Sequence, residues 1–323
     1  SGTLLLDLAA RDWSEEILAA LEIPREWLPR VYEGPEVTGA LRDDIADALG
    51  LRPGLPVVAG GGDNAAAAVG TGIVREGFVS SSVGTSGVIF AHTDTFVPDP
   101  SGRLHALCHA VPGKYHLMGV TLAAGGSMQW WRETLDDGSS FAELSDAAAA
   151  IPPGAEGLLF LPYLSGERTP HRDPLARGTF FGLTTRHTKA HMTRALMEGV
   201  VFSLREAVEI MRELGIEMDH ARATGGGARG TLWRELQADI YRMPVARTTT
   251  EEGPAYGAAL LAGVGAEVFP DVETASAKVA LAPERHEPDE ARAARYDAMF
   301  ALYRDLYATT RDTMHALSDV AMG

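Results

Sequence analysis

The apolar run Leu55-Pro56-Val57-Val58-Ala59 leads directly into Gly60-Gly61-Gly62-Asp63-Asn64 and then into the small-residue stretch Ala65 to Gly70. That order predicts a buried strand, a tight glycine turn and the start of a helix. Few folds place such a turn by accident, because glycine lets the backbone come closer to a ligand than any residue with a Cβ. The turn carries one carboxylate, Asp63, a candidate general base. Further along, Gly84-Thr85-Ser86-Gly87 forms a second glycine turn able to cradle phosphate oxygens. One carboxylate and one phosphate loop together point to phosphoryl transfer onto a hydroxyl.

With 323 residues and 46% hydrophobic content, the chain can build a large core and more than one domain. Lys and Arg number 28 against 44 Asp and Glu, a formal net charge of −16. That balance argues against nucleic acid or an anionic membrane as partner, since both call for a basic face. An anionic substrate would need a local nest of backbone N–H groups or a metal ion. Cys108 is the only cysteine, so no intrachain disulfide can form, and the expected compartment is reducing and cytoplasmic. No signal peptide is visible at Ser1-Gly2-Thr3-Leu4, and no apolar span reaches the roughly 18 residues a membrane helix needs.

Along the chain, Thr3 to Ala9 predicts a short strand, Trp13 to Leu21 a helix, and Ile45 to Leu49 the end of another. Phe78 to Ala91, broken at Gly84 to Gly87, predicts a β-hairpin. Leu104 to Ala110 and Tyr115 to Leu122 predict two strands turning at Pro112-Gly113, followed by a helix over Ala123 to Leu135. Leu158 to Leu164 is strand-like and enters the polar loop Ser165 to Pro174. Lys189 to Leu214 predicts a long amphipathic helix, and Ala221 to Thr224 a strand feeding Gly225-Gly226-Gly227. Helices follow over Thr231 to Tyr241, Tyr256 to Leu261 and Asp289 to Leu317. Interleaved strands and helices predict an α/β architecture.

Each motif has a plainer reading. Asp63 is equally suited to cap the helix that follows it. Gly84 to Gly87 fits an ordinary hairpin turn. Three glycines at 225–227 exceed what a turn needs, which favours a ligand, as where a helix N-terminus faces a phosphate. Neither a G-x-G-x-x-G fingerprint nor a G-x-x-x-x-G-K-[ST] loop occurs, against dehydrogenase and P-loop readings. The histidines show no metal-ligand spacing and read as core or surface residues; no metal ligand is assigned. Trp130-Trp131 reads as core.

In combination these segments resemble the FGGY family of carbohydrate kinases, and within it the xylulokinases. The stretch GTFFGLTTRHTKAHMTRALME (Gly178 to Glu198) is similar to the family's C-terminal signature. FLPYLSGERTPH (Phe160 to His171), CHAVPGKYHLMGVTLAAGGSMQW (Cys108 to Trp130) and GGGAR (Gly225 to Arg229) follow family segments in the same order. The likeness covers nearly the whole chain.

The resemblance implies an actin-like ATPase (ribonuclease H-like) fold of two lobes. Residues 1–75 would be the tail of the N-terminal sugar-binding lobe and 76–323 the C-terminal nucleotide-binding lobe. It implies ATP with Mg²⁺ and transfer of the γ-phosphoryl group to D-xylulose, in a possible homodimer. By that likeness Asp63 is the catalytic base and Asn64 contacts the sugar. Gly84, Thr85, Ser86 and Gly87 approach the transferred phosphate, while Gly125, Gln129, Gly226 and Gly227 contact the nucleotide. The family's opening Asp-x-Gly-Thr phosphate loop has no counterpart here, so this chain is expected to begin late in the first lobe and to be a poor catalyst alone. The alternatives are another kinase of the family, acting on ribulose, rhamnulose, gluconate or glycerol, or a non-catalytic nucleotide-binding regulator.

Overall fold

The computed structural model describes residues 1–135, 137–249 and 253–322. Its first segment holds small elements: β1 (Leu6–Asp7), β2 (Asp12–Trp13), α1 (Glu15–Ala20), β3 (Val37–Ala40), α2 (Asp43–Leu49) and β4 (Pro56–Val58). The strand expected over Thr3 to Ala9 shrinks to β1 because Asp7 Oδ1 accepts from the N–H groups of Ala9 and Ala10 at 2.9 and 3.0 Å, turning the chain. Ser14 caps α1, its Oγ accepting from Ile17 N at 3.3 Å, so that helix starts later than Trp13.

The strand before the glycine turn is a correction. Pro56 and Val57 of β4 are exposed, not buried. β4 pairs only with β3 in a two-stranded antiparallel ribbon, so most of it has no covering layer among the described residues. Val58 alone is drawn in, its side chain filling the space beside Gly265.

Helix α3 (Asp63–Thr71) follows the turn and ends at Gly72 in the left-handed region, where Ile73 N reaches back to Ala68 O at 2.7 Å. It lies on the hairpin of β5 (Gly77–Val83) and β6 (Gly87–Thr93): Ala68 and Ile73 pack with Phe90, Phe78 and Val88. The expected hairpin is therefore present, with Val83 opposite Gly87 across the turn. β7 (His105–Cys108) and β8 (Tyr115–Thr121) continue the sheet, and α4 (Gly125–Leu135) leaves its end.

Beyond come α5 (Phe141–Ala149), the short pair β9 (Leu159–Leu161) and β10 (Thr179–Phe181), α6 (Lys189–Glu213), β11 (Met218–Thr224), α7 (Thr231–Tyr241) and β12 (Val245–Thr248). The chain then forms α8 (Gly253–Gly265), α9 (Val272–Ser276), β13 (Leu281–His286) and α10 (Glu290–Met322). The main sheet runs β13-β12-β11-β5-β6-β8-β7, with β11 parallel to both neighbours and the remaining pairs antiparallel. α6 is the central core helix, buried along nearly its whole length. α10 packs on it through Tyr296, Phe300 and Tyr303, which surround Phe202. Trp131 joins this core while Trp130 stays 37% exposed beside Phe160, so only one of the pair is a core residue.

Helices α3 and α8 cross at closest backbone approach. A Cβ on Gly70 would overlap Gly253 O, and one on Gly257 would overlap Ala66 O. Small residues four apart on both helices permit that contact.

Candidate functional site

The sheet delivers three glycine segments to one place. Gly84 N donates to Ser86 O at 3.0 Å, closing the β5–β6 turn. Gly125 N donates to Gly84 O at 2.7 Å, while Ala124 N and Gly126 N both reach Thr85 O, at 2.9 and 3.0 Å. The first turn of α4 is thereby sewn onto residues 84–86. From the other side, β11 runs parallel to β5 and brings Gly225 against Val83 O, 2.7 Å from where a Cβ would stand. Gly227 fits against the Val83 side chain in the same way, at 2.7 Å. Gly225 holds φ 73° and ψ −173°, a conformation open essentially to glycine alone.

The expected nucleotide residues thus fall into two groups. Thr85, Ser86 and Gly226 are exposed and accessible to a ligand, and among the described residues the space around a Cβ on Gly226 is open. Gly84, Gly125 and Gly227 are used in holding the three segments together. Gln129 lies half-buried one turn along α4, where its amide binds Glu133. The N-terminus of α4 ends at Thr85, so the positive end of an 11-residue helix points at this turn.

Asp63 is the first residue of α3, and Gly62, not Asp63, occupies the capping position. Its carboxylate is exposed and accepts from Asn64 N at 2.8 Å and Asn64 Nδ2 at 3.2 Å. An acidic group in the first turn is favoured by the helix dipole. Because α3 rests on the β5–β6 hairpin, the helix that begins with Asp63 shares its support with the turn at Gly84 to Gly87.

Gly60, Gly61 and Gly62 line a cavity of about 140 Å³ together with Arg11, Tyr32, Glu33, Cys108, His109 and Ala110. Arg11 pairs with Glu33 at 2.6 Å and donates to Lys114 O at 3.1 Å. Burial raises the Cys108 thiol above its ordinary value, so it stays protonated and unreactive at neutral pH. Sequence reasoning singled out the glycines and the segment that begins at Cys108, but not Arg11, Tyr32 and Glu33, nor that these segments, up to about 100 positions apart, share one cavity.

The far end of α3 is held by β11 and α9. Arg222 of β11 donates to Thr71 O, and Ser276 Oγ of α9 donates to Val69 O at 2.7 Å. Carbonyls that a helix end leaves free are thereby satisfied.

The sequence profile of the FGGY family of carbohydrate kinases, C-terminal domain, matches residues 79–266, and that of the family's N-terminal domain matches residues 1–70. The chain is 40% identical over 319 residues to the xylulose kinase of Lactococcus lactis, covering 98% of this chain and 64% of that protein. It is 30% identical to the gluconokinase of Bacillus subtilis, covering 100% of this chain and 65% of the relative. The crystal structure of ligand-bound xylulose kinase from Lactobacillus acidophilus superposes with a TM-score of 0.92 at 28% identity, over 98% of this chain and 64% of that one. The chain therefore spans about 64% of the length of the xylulose kinases it resembles. Among the described residues no helix is long and apolar enough to cross a membrane. The mixed seven-stranded sheet with its helices is the actin-like ATPase fold, and the chain belongs to the FGGY family of carbohydrate kinases.

Proposed function

We propose that the protein to which this chain belongs transfers the γ-phosphoryl group of ATP to the terminal hydroxyl of D-xylulose, giving D-xylulose 5-phosphate and ADP. The observation that carries this reading is the convergence of residues 84–87, 124–126 and 225–227 at the end of one sheet, beside a hairpin that also supports the helix starting at Asp63. A cradle that tolerates no Cβ at Gly225, with exposed Thr85, Ser86 and Gly226 around it, fits a polyphosphate. Mg²⁺ accompanies ATP in such chemistry and neutralises phosphate charge. Among the described residues no group of three or more His, Cys, Asp or Glu gathers into a metal site, so no step is assigned to a protein-held ion.

In this mechanism the Asp63 carboxylate accepts the proton of the xylulose hydroxyl as its oxygen bonds to phosphorus and the bond to ADP breaks. Asn64, whose amide already binds Asp63, holds the carboxylate and faces the sugar. Backbone N–H groups of Thr85 and Ser86 stabilise the charge that spreads over the phosphoryl oxygens, and α4, whose first N–H groups are spent on Gly84 O and Thr85 O, contributes through the positive end of its dipole. Residues 1–75 act as the remaining part of a sugar-binding lobe and 76–323 as the nucleotide lobe. The chain spans about 64% of its relatives' length, and we infer that alone it turns over slowly, because phosphoryl transfer depends on positioning by both sides of the cleft.

The test is Asp63→Asn in the longest polypeptide the gene encodes. Turnover should fall by about 10² to 10⁴-fold while D-xylulose and ATP still bind. Turnover within a few-fold of the parent removes Asp63 from the role. Gluconate is the second acceptor to try, because the Bacillus subtilis gluconokinase also matches the whole chain.

A further inference from the structure

His109 is 3% exposed and follows β7, where sequence alone marks it as one more core histidine. Its two ring nitrogens do different things. Nε2 lies 2.9 Å from Ile73 O, just past the end of α3. Nδ1 accepts from Val111 N at 3.0 Å. A carbonyl can only accept and an amide N–H can only donate, so the ring is neutral with its proton on Nε2. The bond to Val111 shapes the turn that presents Ala110. Ala110 Cβ stands 3.1 Å from where a Cβ on Gly61 would lie, and Ala110 O stands 2.5 Å from where one on Gly34 would lie. Gly34 O in turn accepts from Gly60 N at 2.9 Å. One imidazole therefore grips the chain leaving α3 and braces the glycine turn that enters it, two residues before Asp63.

We propose that His109 is the positioning residue for Asp63, fixing α3 at both ends so that the carboxylate meets the acceptor hydroxyl. This rests on the reading of Asp63 as general base. Burial above all keeps the ring neutral; the groups that face it are His116 of β8 at 5.8 Å, His92 of β6 at 5.1 Å and the Arg11 guanidinium, with the edge of Phe90 packed at 5.3 Å. A charged His109 would turn an N–H against Val111 N–H and release the brace.

Three variants separate the two bonds. His109→Leu removes both, His109→Asn keeps an acceptor for Val111 N, and His109→Gln keeps a donor for Ile73 O. Amide hydrogen exchange over residues 60–66 reads the brace on the purified chain without needing activity. Kinetics in the longest encoded polypeptide read its consequence. In His109→Leu we expect exchange over 60–66 to quicken and kcat to fall by at least about tenfold, with KM for ATP unchanged, because the glycine segments at 84–87 and 225–227 are untouched. His109→Asn should restore most of both. If the Leu variant does not fold, the Asn and Gln variants decide: slower exchange and higher kcat in Asn than in Gln is the expected order. Equal exchange over 60–66 in all folded variants overturns the proposal. So does quickened exchange with unchanged kcat, provided Asp63→Asn abolishes turnover; where Asp63→Asn is itself silent, the general-base reading has failed and the positioning role falls with it.

Discussion

At the scale of single residues, Gly225 and Gly226 are neighbours with opposite duties. Gly225 adopts φ 73° with its Cβ position 2.7 Å from Val83 O, whereas a Cβ on Gly226 meets nothing within 4 Å. Gly225→Ala should therefore lower stability by about 1–3 kcal/mol in urea unfolding, from backbone strain and the clash together. Gly226→Ala should leave stability within about 0.5 kcal/mol while raising KM for ATP, since its added methyl projects into open space beside the exposed turn. A Gly226→Ala enzyme with unaltered nucleotide kinetics would remove that residue from the ATP site. Three adjacent glycines announce the turn in the sequence. They do not announce which glycine holds the scaffold and which faces the ligand, because that depends on Val83, which lies about 140 positions away. The same limit applies to Asp63. Its type and place in the turn are readable, but an exposed carboxylate behind a Gly62 cap is a matter of backbone geometry.

At the scale of elements, the crossing of α3 and α8 sets how the Asp63 helix sits against the C-terminal part of the molecule. Alanine is the better helix former by about 1 kcal/mol, so Gly257→Ala would stabilise an isolated α8. Here the methyl would overlap Ala66 O, and we expect a net loss of about 1–3 kcal/mol, measured by thermal or urea unfolding. A neutral or stabilising result would mean the two backbones are not in contact. The crossing also explains why α8 is under-read in sequence. Glycine and proline at 253 and 254 look like punctuation, so the helix is expected only over Tyr256 to Leu261, yet it runs Gly253–Gly265. Proline is tolerated in a first helical turn and glycine is needed at the crossing. Helix α5 was legible but overlooked: Ser140 and Glu143 form a capping box ahead of it. By contrast β12 and β13 carry little apolar pattern, with sequences VART and LAPERH; β12 forms on the edge that β11 offers, and β13 on the edge that β12 then offers. The long, strongly periodic α6 was predicted over Lys189 to Leu214 and is found at Lys189–Glu213.

At the scale of the whole molecule, buried titratable groups set opposing limits on stability. Burial lowers His92 and His109, holds His116 down to about 3, and holds His171 down to about 4. Burial raises Glu167 to about 7 and Glu206 to about 8. The 3.4 Å contact between His171 Nε2 and Glu206 Oε2 is consequently not an ion pair at neutral pH, since each partner is held neutral. Below about pH 6.5 the unfolded chain takes up protons that the folded histidines refuse, so stability falls as pH drops, by up to about 1.4 kcal/mol per pH unit for each histidine. The two glutamates pull the other way, because from about pH 4.5 upward the unfolded carboxyls have lost protons that the folded ones keep. Between those values the lowered histidines, which include His105 and His286, outweigh the raised glutamates, which include Glu198; above about pH 6.5 the glutamates dominate, and stability declines toward pH 8. The expected profile peaks at about pH 6 to 6.5. Glu206→Gln preserves the neutral shape of a carboxyl whose Oε2 has no hydrogen-bond partner among the described residues, and should make the alkaline limb shallower while steepening the acid limb between about pH 4.5 and 6.5, where the glutamate opposes the histidines. Melting temperatures taken across this range for both proteins decide it: a parent still gaining stability between pH 6.5 and 8 would mean that Glu206 is ionised in the fold and that burial does not dominate its surroundings.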